Sequence, residues 1–387
     1  MSNKIIRITT SPLALKYLLP GQMQFMQKHG FEVIMISADG KERDEIIKNE
    51  GCKHIVVPMT RQITPWQDLK CLWQLIKIFR KEKPKIVHTH TPKAGLLGML
   101  AAYICSVKVR IHTVAGLPLM VEKGFKFRLL TLIEKITYAA ANRVWPNSTS
   151  LKNYIIEKRF TKKSKLGVIL MGSSNGINLN RYSKQSLDNN IIEEIKKSFF
   201  YSEKNKYLLF VGRMVADKGI TELVDAFSIL QKNQNWLKLI LVGPFEKELD
   251  PLPSNTLKQI ESNPAIFHIN WTDYVEYYMA LAHYFVFPSH REGFPNVLLQ
   301  AGAMELPIIC SNIPGNIDIV VNNETGITFE KQNSKDLMNA IFSAIKKPLE
   351  SQKMANDLKK FIYANYDQEV IWRELLNKYN ELIVELE

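Results

Sequence analysis

Two cations stand five residues apart in Gly212-Arg213-Met214-Val215-Ala216-Asp217-Lys218-Gly219. An apolar run precedes this segment and a helical pattern follows it. A glycine leaving a strand, a guanidinium, an ammonium and a glycine opening a helix together make an anion site. Arg213 can grip phosphate oxygens through two N–H groups, and Lys218 adds a compact second charge.

A second constellation runs from Pro288 through His290-Arg291-Glu292-Gly293-Phe294-Pro295-Asn296-Val297 to Gln300 and Gly302. A strand is expected to end at Pro288, with Glu292 in the loop that follows. A helix is expected to begin near Pro295, since proline suits a first helical position whose N–H is not needed. Gln300 then lies about one and a half turns inside that helix. Glu292 and Gln300 can address different parts of one elongated ligand.

The first half carries chemistry less sharply. His88-Thr89-His90 and Ile111-His112-Thr113 each close an apolar run, the second followed by Gly116-Leu117-Pro118. His88 and His90 are expected on opposite faces of their strand, a poor metal pair, with His88 packing and His90 facing a cleft. Asn175-Gly176 is a turn signal in any protein. No D-x-D triplet occurs, and Cys52, Cys71, Cys105 and Cys310 are far apart, which suits a reducing compartment and gives no disulfide framework or zinc site.

These groups need elements to hold them, and the chain repeats apolar strand, polar turn and periodic helix. Strands are expected at residues 4–9, 31–37, 54–57, 85–90, 109–114, 143–146 and 167–171. The opening residues from Met1 read as the start of the first of these, not as a secretory signal. Residues 182–206 are polar and rich in Asn, Ser and Lys, the character of a linker. Further strands are expected at 207–211, 237–242, 266–269, 285–288 and 308–311. Ile220, Leu223, Val224, Phe227 and Leu230 recur at helical spacing between the first two of these. The pattern predicts an α/β chain of two doubly wound parallel sheets: an N-terminal domain (1–181), a linker (182–206), a C-terminal domain (207–366) and a helix (367–387) that packs back on the first domain. Ligands of such sheets bind outside the carboxyl ends of the strands.

Together these segments resemble the family-four retaining glycosyltransferases of the GT-B fold, over nearly the whole chain. The resemblance implies two facing Rossmann-like domains, a nucleotide-sugar donor on the second, an acceptor on the first, and no cofactor. It assigns the donor diphosphate to Arg213 and Lys218 beside Gly212, and the donor sugar hydroxyls to Glu292. It places Gly293, Phe294, Asn296 and Val297 in the same pocket. The family's second Glu, which bonds the ribose, falls on Gln300, and glutamine keeps an acceptor oxygen while adding two donors. Pro295 stands where the family often has glycine, which removes one backbone donor. His112 is implied near the donor sugar, and His90 and Gly116 on the acceptor side. The early loop 15–21, where relatives often carry paired glycines, keeps only Gly21. With no D-x-D clamp, fixed cations would steady the departing diphosphate without a metal. The wording around His90, Gly116 and His290 is similar to bacterial enzymes that extend undecaprenyl-diphosphate-linked sugars. This implies transfer of a hexose or N-acetylhexosamine, UDP-linked by preference, to a lipid-linked acceptor for capsule, O-antigen or related glycans. A sugar-nucleotide 2-epimerase of the same fold and a non-catalytic subunit are the alternatives.

Net charge is +13. Residues 121–165 hold eleven Lys/Arg against three Glu, a balance of +8, beside an apolar stripe of Phe125, Leu129, Leu132, Ile133 and Ile136. No nucleic-acid-binding signature accompanies this charge. The expected partner is an anionic membrane surface, with the protein peripheral to the cytoplasmic face of the cell membrane.

Overall fold

The computed structural model describes residues 3–246 and 250–386, so Met1, Ser2 and the last residue of the expected tail helix, Glu387, lie outside the described residues. The chain divides into two compact units, Met1–Gly176 with Gln368–Glu387, and Ile177–Asp367.

In the first unit the strands are β1 (Asn3–Ile8), β2 (Phe31–Ser37), β3 (Lys53–Val56), β4 (Ile86–Thr89), β5 (Val109–Val114) and β6 (Arg143–Pro146). Its helices are α1 (Pro12–Leu18), α2 (Gln22–Lys28), α3 (Arg43–Glu50), α4 (Pro65–Glu82), α5 (Pro92–Ile104), α6 (Gly124–Ala140) and α7 (Thr149–Glu157). The second unit opens on α8 (Asn189–Ser198), followed by β7 (Lys206–Val211), α9 (Ile220–Gln231), β8 (Leu237–Val242), α10 (Ser254–Ser262), β9 (Ile266–Ile269), α11 (Val275–Leu281) and β10 (Tyr284–Phe287). It closes with α12 (Asn296–Ala303), β11 (Ile308–Ser311), β12 (Ile327–Phe329), α13 (Ser334–Lys346) and α14 (Pro348–Asn365). The last helix, α15 (Gln368–Leu386), belongs to the first unit.

Both sheets are parallel and six-stranded, ordered β3-β2-β1-β4-β5-β6 and β12-β11-β10-β7-β8-β9. The first three strands of each step outward on one side and the last three on the other, so chain order reverses between β1 and β4 and between β7 and β10. Near-continuous apolar strands such as Leu208-Leu209-Phe210 are what a sheet covered on both faces requires. In the first unit one core lies under α4, α5, α6 and α7. The other lies under α1, α2, α3 and α15, to which α15 contributes Leu375, Tyr379, Leu382 and Ile383. Across that second core runs a buried polar chain. Arg7 of β1 donates to Gln22 and to the Tyr379 hydroxyl (2.6 Å), which pairs with His88 Nδ1 (2.6 Å). In the second unit the periodic stripe Ile220, Leu223, Val224, Phe227 and Leu230 is buried as one face of α9.

Several expectations are corrected. Residues 167–171 form no strand. Only Leu166 bridges Val144, after which Leu170 takes a left-handed φ of 48° and the chain turns. Residues 15–18 are helical, as part of α1. Stretch 182–206 holds α8, capped by the Asp188 side chain, and groups with the second unit. Strand β12 had no sequence signal because it is three residues long.

Candidate active site

In the second unit, the two segments singled out by their chemistry leave the carboxyl ends of β7 and β10, the neighbours at which chain order reverses. Ligands of open α/β sheets collect at such a reversal. After β7 and Gly212, residues Ala216–Lys218 make one 3-10 turn. Gly219, at a left-handed φ of 69°, then opens α9. A Cβ on Gly219 would stand 2.1 Å from the Pro288 carbonyl oxygen, so only glycine lets α9 begin directly against the end of β10.

That approach brings Lys218 onto the Glu292 carboxylate as an ion pair with both side chains mostly buried. The Lys218 ammonium also lies 5.8 Å from the centre of the Phe287 ring. Around the pair, the loop after β10 is clamped to the start of α9. Arg291 bonds Asp217 at 2.8 Å, His290 Nε2 meets Glu222 at 3.0 Å, and the His290 N–H donates to the Asp217 carbonyl at 2.8 Å. Arg213 is half exposed, and its guanidinium pairs with Glu246 beyond β8. Both cations of this loop therefore already hold a carboxylate.

Helix α12 begins at Asn296, and Pro295 is its N-cap (φ −81°), not its first helical residue. The first-turn N–H groups of a helix have no acceptor within it. Val297 and Gln300 are half-buried, whereas Phe294 is buried with its ring 5.6 Å from that of Tyr366. Thus the structure gathers Gly212, Lys218, Glu292, Gly293 and the start of α12 at one sheet edge. Sequence reasoning missed Asp217, Glu222 and Glu246 as partners. The charge alternation in Asp217-Lys218 and Arg291-Glu292 was the available signal for the first of them.

In the first unit the reversal lies between β1 and β4, where Thr10 Oγ1 and Thr91 Oγ1 are 2.7 Å apart. His90 follows β4 there. It is buried, neither ring nitrogen has a hydrogen-bond partner, and burial, aided by the Arg7 and His112 charges, holds its pKa well below the usual histidine value. It lines a small cavity with His88, Thr113, Asn147 and Ser174. His88 and His90 share one face, their rings 4.1 Å apart, as residues two apart in an extended chain must. The expectation of opposite faces is therefore corrected. His112 faces the other way, into the core. Its Nδ1 lies 2.8 Å from Thr89 Oγ1, and a Cβ on Gly95 of α5 would come within 2.4 Å of its ring. Burial drives its pKa down to about 4. Gly116 sits half-buried just past β5. Among the described residues no group of three His, Cys, Asp or Glu side chains is placed to hold a metal.

Comparison with known proteins supplies the family. Residues 191–364 match the glycosyl transferases group 1 family, and residues 21–172 match the glycosyl transferase 4-like domain. The chain is 38% identical over 387 residues, all of this chain and 99% of the other, to the capsular polysaccharide biosynthesis glycosyltransferase CapM of Staphylococcus aureus. It is 25% identical, over 83% of this chain and 81% of the other, to an Escherichia coli UDP-Gal:alpha-D-GlcNAc-diphosphoundecaprenol alpha-1,3-galactosyltransferase. Among solved structures, HepE of Anabaena in complex with UDP and glucose superposes with a TM-score of 0.80 at 15% identity, covering 98% of this chain and 100% of that one. The lipopolysaccharide glycosyltransferase WaaG superposes with a TM-score of 0.72 at 13% identity, over 95% and 98%. The chain belongs to the GT-B glycosyltransferases that join a glycosyl transferase 4-like domain to a group 1 domain.

Proposed function

We propose that the protein is a retaining glycosyltransferase that moves a hexose or N-acetylhexosamine from a UDP-sugar to a polyprenyl-diphosphate-linked sugar, in assembly of a surface polysaccharide such as capsule. The observation that carries the donor assignment is the Lys218–Glu292 pair at the β7/β10 reversal, with Arg213 on the same loop. In the reaction the bond from the sugar C1 to the β-phosphate oxygen breaks, and the acceptor oxygen bonds C1 on the same face. The acceptor's proton passes to the departing phosphate oxygen. Arg213 and Lys218 balance the charge that gathers on the diphosphate, a fixed electrostatic role that replaces a metal clamp. Glu292 orients the sugar hydroxyls, Gln300 the ribose, and the start of α12, with Asn296 and Val297, faces the anion. On the first unit, His90 and Gly116 serve the acceptor, and His112 positions the end of β4 through Thr89.

The relatives' undecaprenyl-linked acceptors, named for the E. coli enzyme and for a Campylobacter jejuni N,N'-diacetylbacillosaminyl-diphospho-undecaprenol alpha-1,3-N-acetylgalactosaminyltransferase, support the lipid-linked reading. Among the described residues no helix is long and apolar enough to cross a membrane. The protein then meets its acceptor peripherally, at the cytoplasmic face, through the basic surface of residues 121–165. The test is a panel of UDP-sugars incubated with membrane extract, reading free UDP and lipid-linked product. UDP that appears only with acceptor supports transfer. An isomerised donor would make the protein an epimerase, and neither product would make it a non-catalytic subunit.

A further inference from the structure

Helices α4, α5 and α6 cover the same face of the first sheet, with α5 between the other two. Helix α5 is buried along most of its length, so α4 and α6 stand proud on either side. Helix α4 displays Trp66, 82% exposed, Leu69, and Trp73, 57% exposed. These residues fall on one stripe because positions three, four and seven apart share a helix face. Helix α6 displays Phe125, 81% exposed, with Leu132 and Ile136. Each helix follows the carboxyl end of its preceding strand after a connection, from β3 to α4 and from β5 to α6. Trp66 and Phe125, second residues of their helices, therefore stand at the carboxyl edge of the sheet.

Charge says what covers this face. Between Arg61 and Ala140 there are fourteen Lys/Arg and four acidic residues. Every one of the four is accounted for. Asp68 binds Lys93 at 2.7 Å, Glu82 binds Lys4 and Lys53, and Glu122 binds Lys126 at 2.6 Å. Glu134 is turned inward and burial lifts its carboxyl to about 7. Arg61, Lys70, Lys77, Lys123 and Arg128 are exposed around the apolar stripes. Indole rings suit the boundary between headgroups and acyl chains, and cations suit the phosphate level above it. Exposed aliphatic side chains such as Leu69, Leu132 and Ile136 fit hydrocarbon, not nucleic acid.

We propose that the α4 stripe of Trp66, Leu69 and Trp73 is a second membrane anchor, inserted into an anionic lipid surface beside α6. This inference rests on the peripheral-membrane reading above and adds a salt-resistant, apolar component to it.

The test compares the full chain with Trp66→Ser/Trp73→Ser and Trp66→Phe/Trp73→Phe on vesicles of equal parts phosphatidylglycerol and phosphatidylcholine. At high salt, where basic contacts are screened, the serine variant should bind weaker by about tenfold or more, whereas the phenylalanine variant should retain most binding. The fluorescence difference between wild type and the phenylalanine variant isolates the two indoles, and brominated acyl chains should quench it. Both positions are exposed, so unchanged circular dichroism is expected in each variant. If wild type binds vesicles and the serine variant binds equally at low and high salt, the anchor is refuted while the membrane reading stands. If wild type ignores vesicles, both fail. Self-association of wild type that disappears in the serine variant would assign the stripe to a second copy of the chain and overturn the anchor.

Discussion

Lys218 and Glu292, 74 residues apart in sequence, close on each other as an ion pair because Gly219 lets α9 start against the end of β10. On the proposed reading, a diphosphate at Lys218 would share that ammonium with the carboxylate assigned to the donor sugar. The pair presets both side chains at one edge of the sheet before any ligand arrives.

Arg213→Ala and Lys218→Ala should therefore damage catalysis far more than folding. A hydrogen bond to a charged group is worth about 1.5–3 kcal/mol, or roughly 10- to 150-fold in rate where it acts in the transition state. Steady-state kcat/KM beside thermal melting reads the two effects separately. Near-wild-type turnover in both variants would remove these cations from the diphosphate site.

Gln300 is half-buried on α12, and its amide carries one acceptor oxygen and two donors. If it holds the ribose as a neutral partner, Gln300→Glu should be tolerated and Gln300→Leu should raise the donor KM. A leucine variant with an unchanged donor KM would place this helix position away from the nucleotide.

Much of this site was legible because strand-to-turn-to-helix junctions are local. The runs 207–211 and 285–288 fixed where Arg213, Lys218 and Glu292 would emerge, within a residue of β7 and β10. What was hidden depends on packing between segments distant in sequence. Nothing near His112 told that Gly95 of α5 would admit its ring to the core, or that Glu246 would reach Arg213. The Gly167 run has strand composition, yet Leu170 in a left-handed conformation ends it, and a local pattern cannot show that.

His112 gives a pH signature. Its folded pKa of about 4 lies below the 6.5 of a solvent-exposed imidazole, so at acid pH the unfolded chain binds a proton that the native chain refuses. Stability from this group is complete above pH 6.5 and is lost as pH falls toward 4, by about 2 kcal/mol between 6.5 and 4.5 at ~1.36 kcal/mol per unit. Urea unfolding across that range should show a shallower slope for His112→Asn, whose amide can replace Nδ1 opposite Thr89. Parallel slopes would mean His112 titrates normally.

The Tyr379 hydroxyl serves Arg7 and His88 together, 372 and 291 residues away along the chain. Tyr379→Phe should cost about 1–3 kcal/mol, because it leaves buried polar groups short of a partner. Chemical denaturation followed by tryptophan fluorescence measures this, and a loss under ~0.5 kcal/mol would show that the chain of bonds contributes little net stability.

The basic surface of residues 121–165 carries the last prediction. Lys123, Lys126, Lys162 and Lys163 are exposed, and Lys126 pairs with Glu122 at 2.6 Å. Each basic residue near an anionic leaflet contributes about 1 kcal/mol, fading beyond a Debye length of ~10 Å. Changing all four to Glu should release the protein from anionic liposomes at low salt. Activity on a short water-soluble acceptor analogue should persist, because Arg213, Lys218 and Glu292 belong to the other unit. Binding that ignores both charge reversal and added salt would refute the electrostatic attachment. An equal loss on soluble and lipid-linked acceptors would instead assign these lysines to the fold or to acceptor binding.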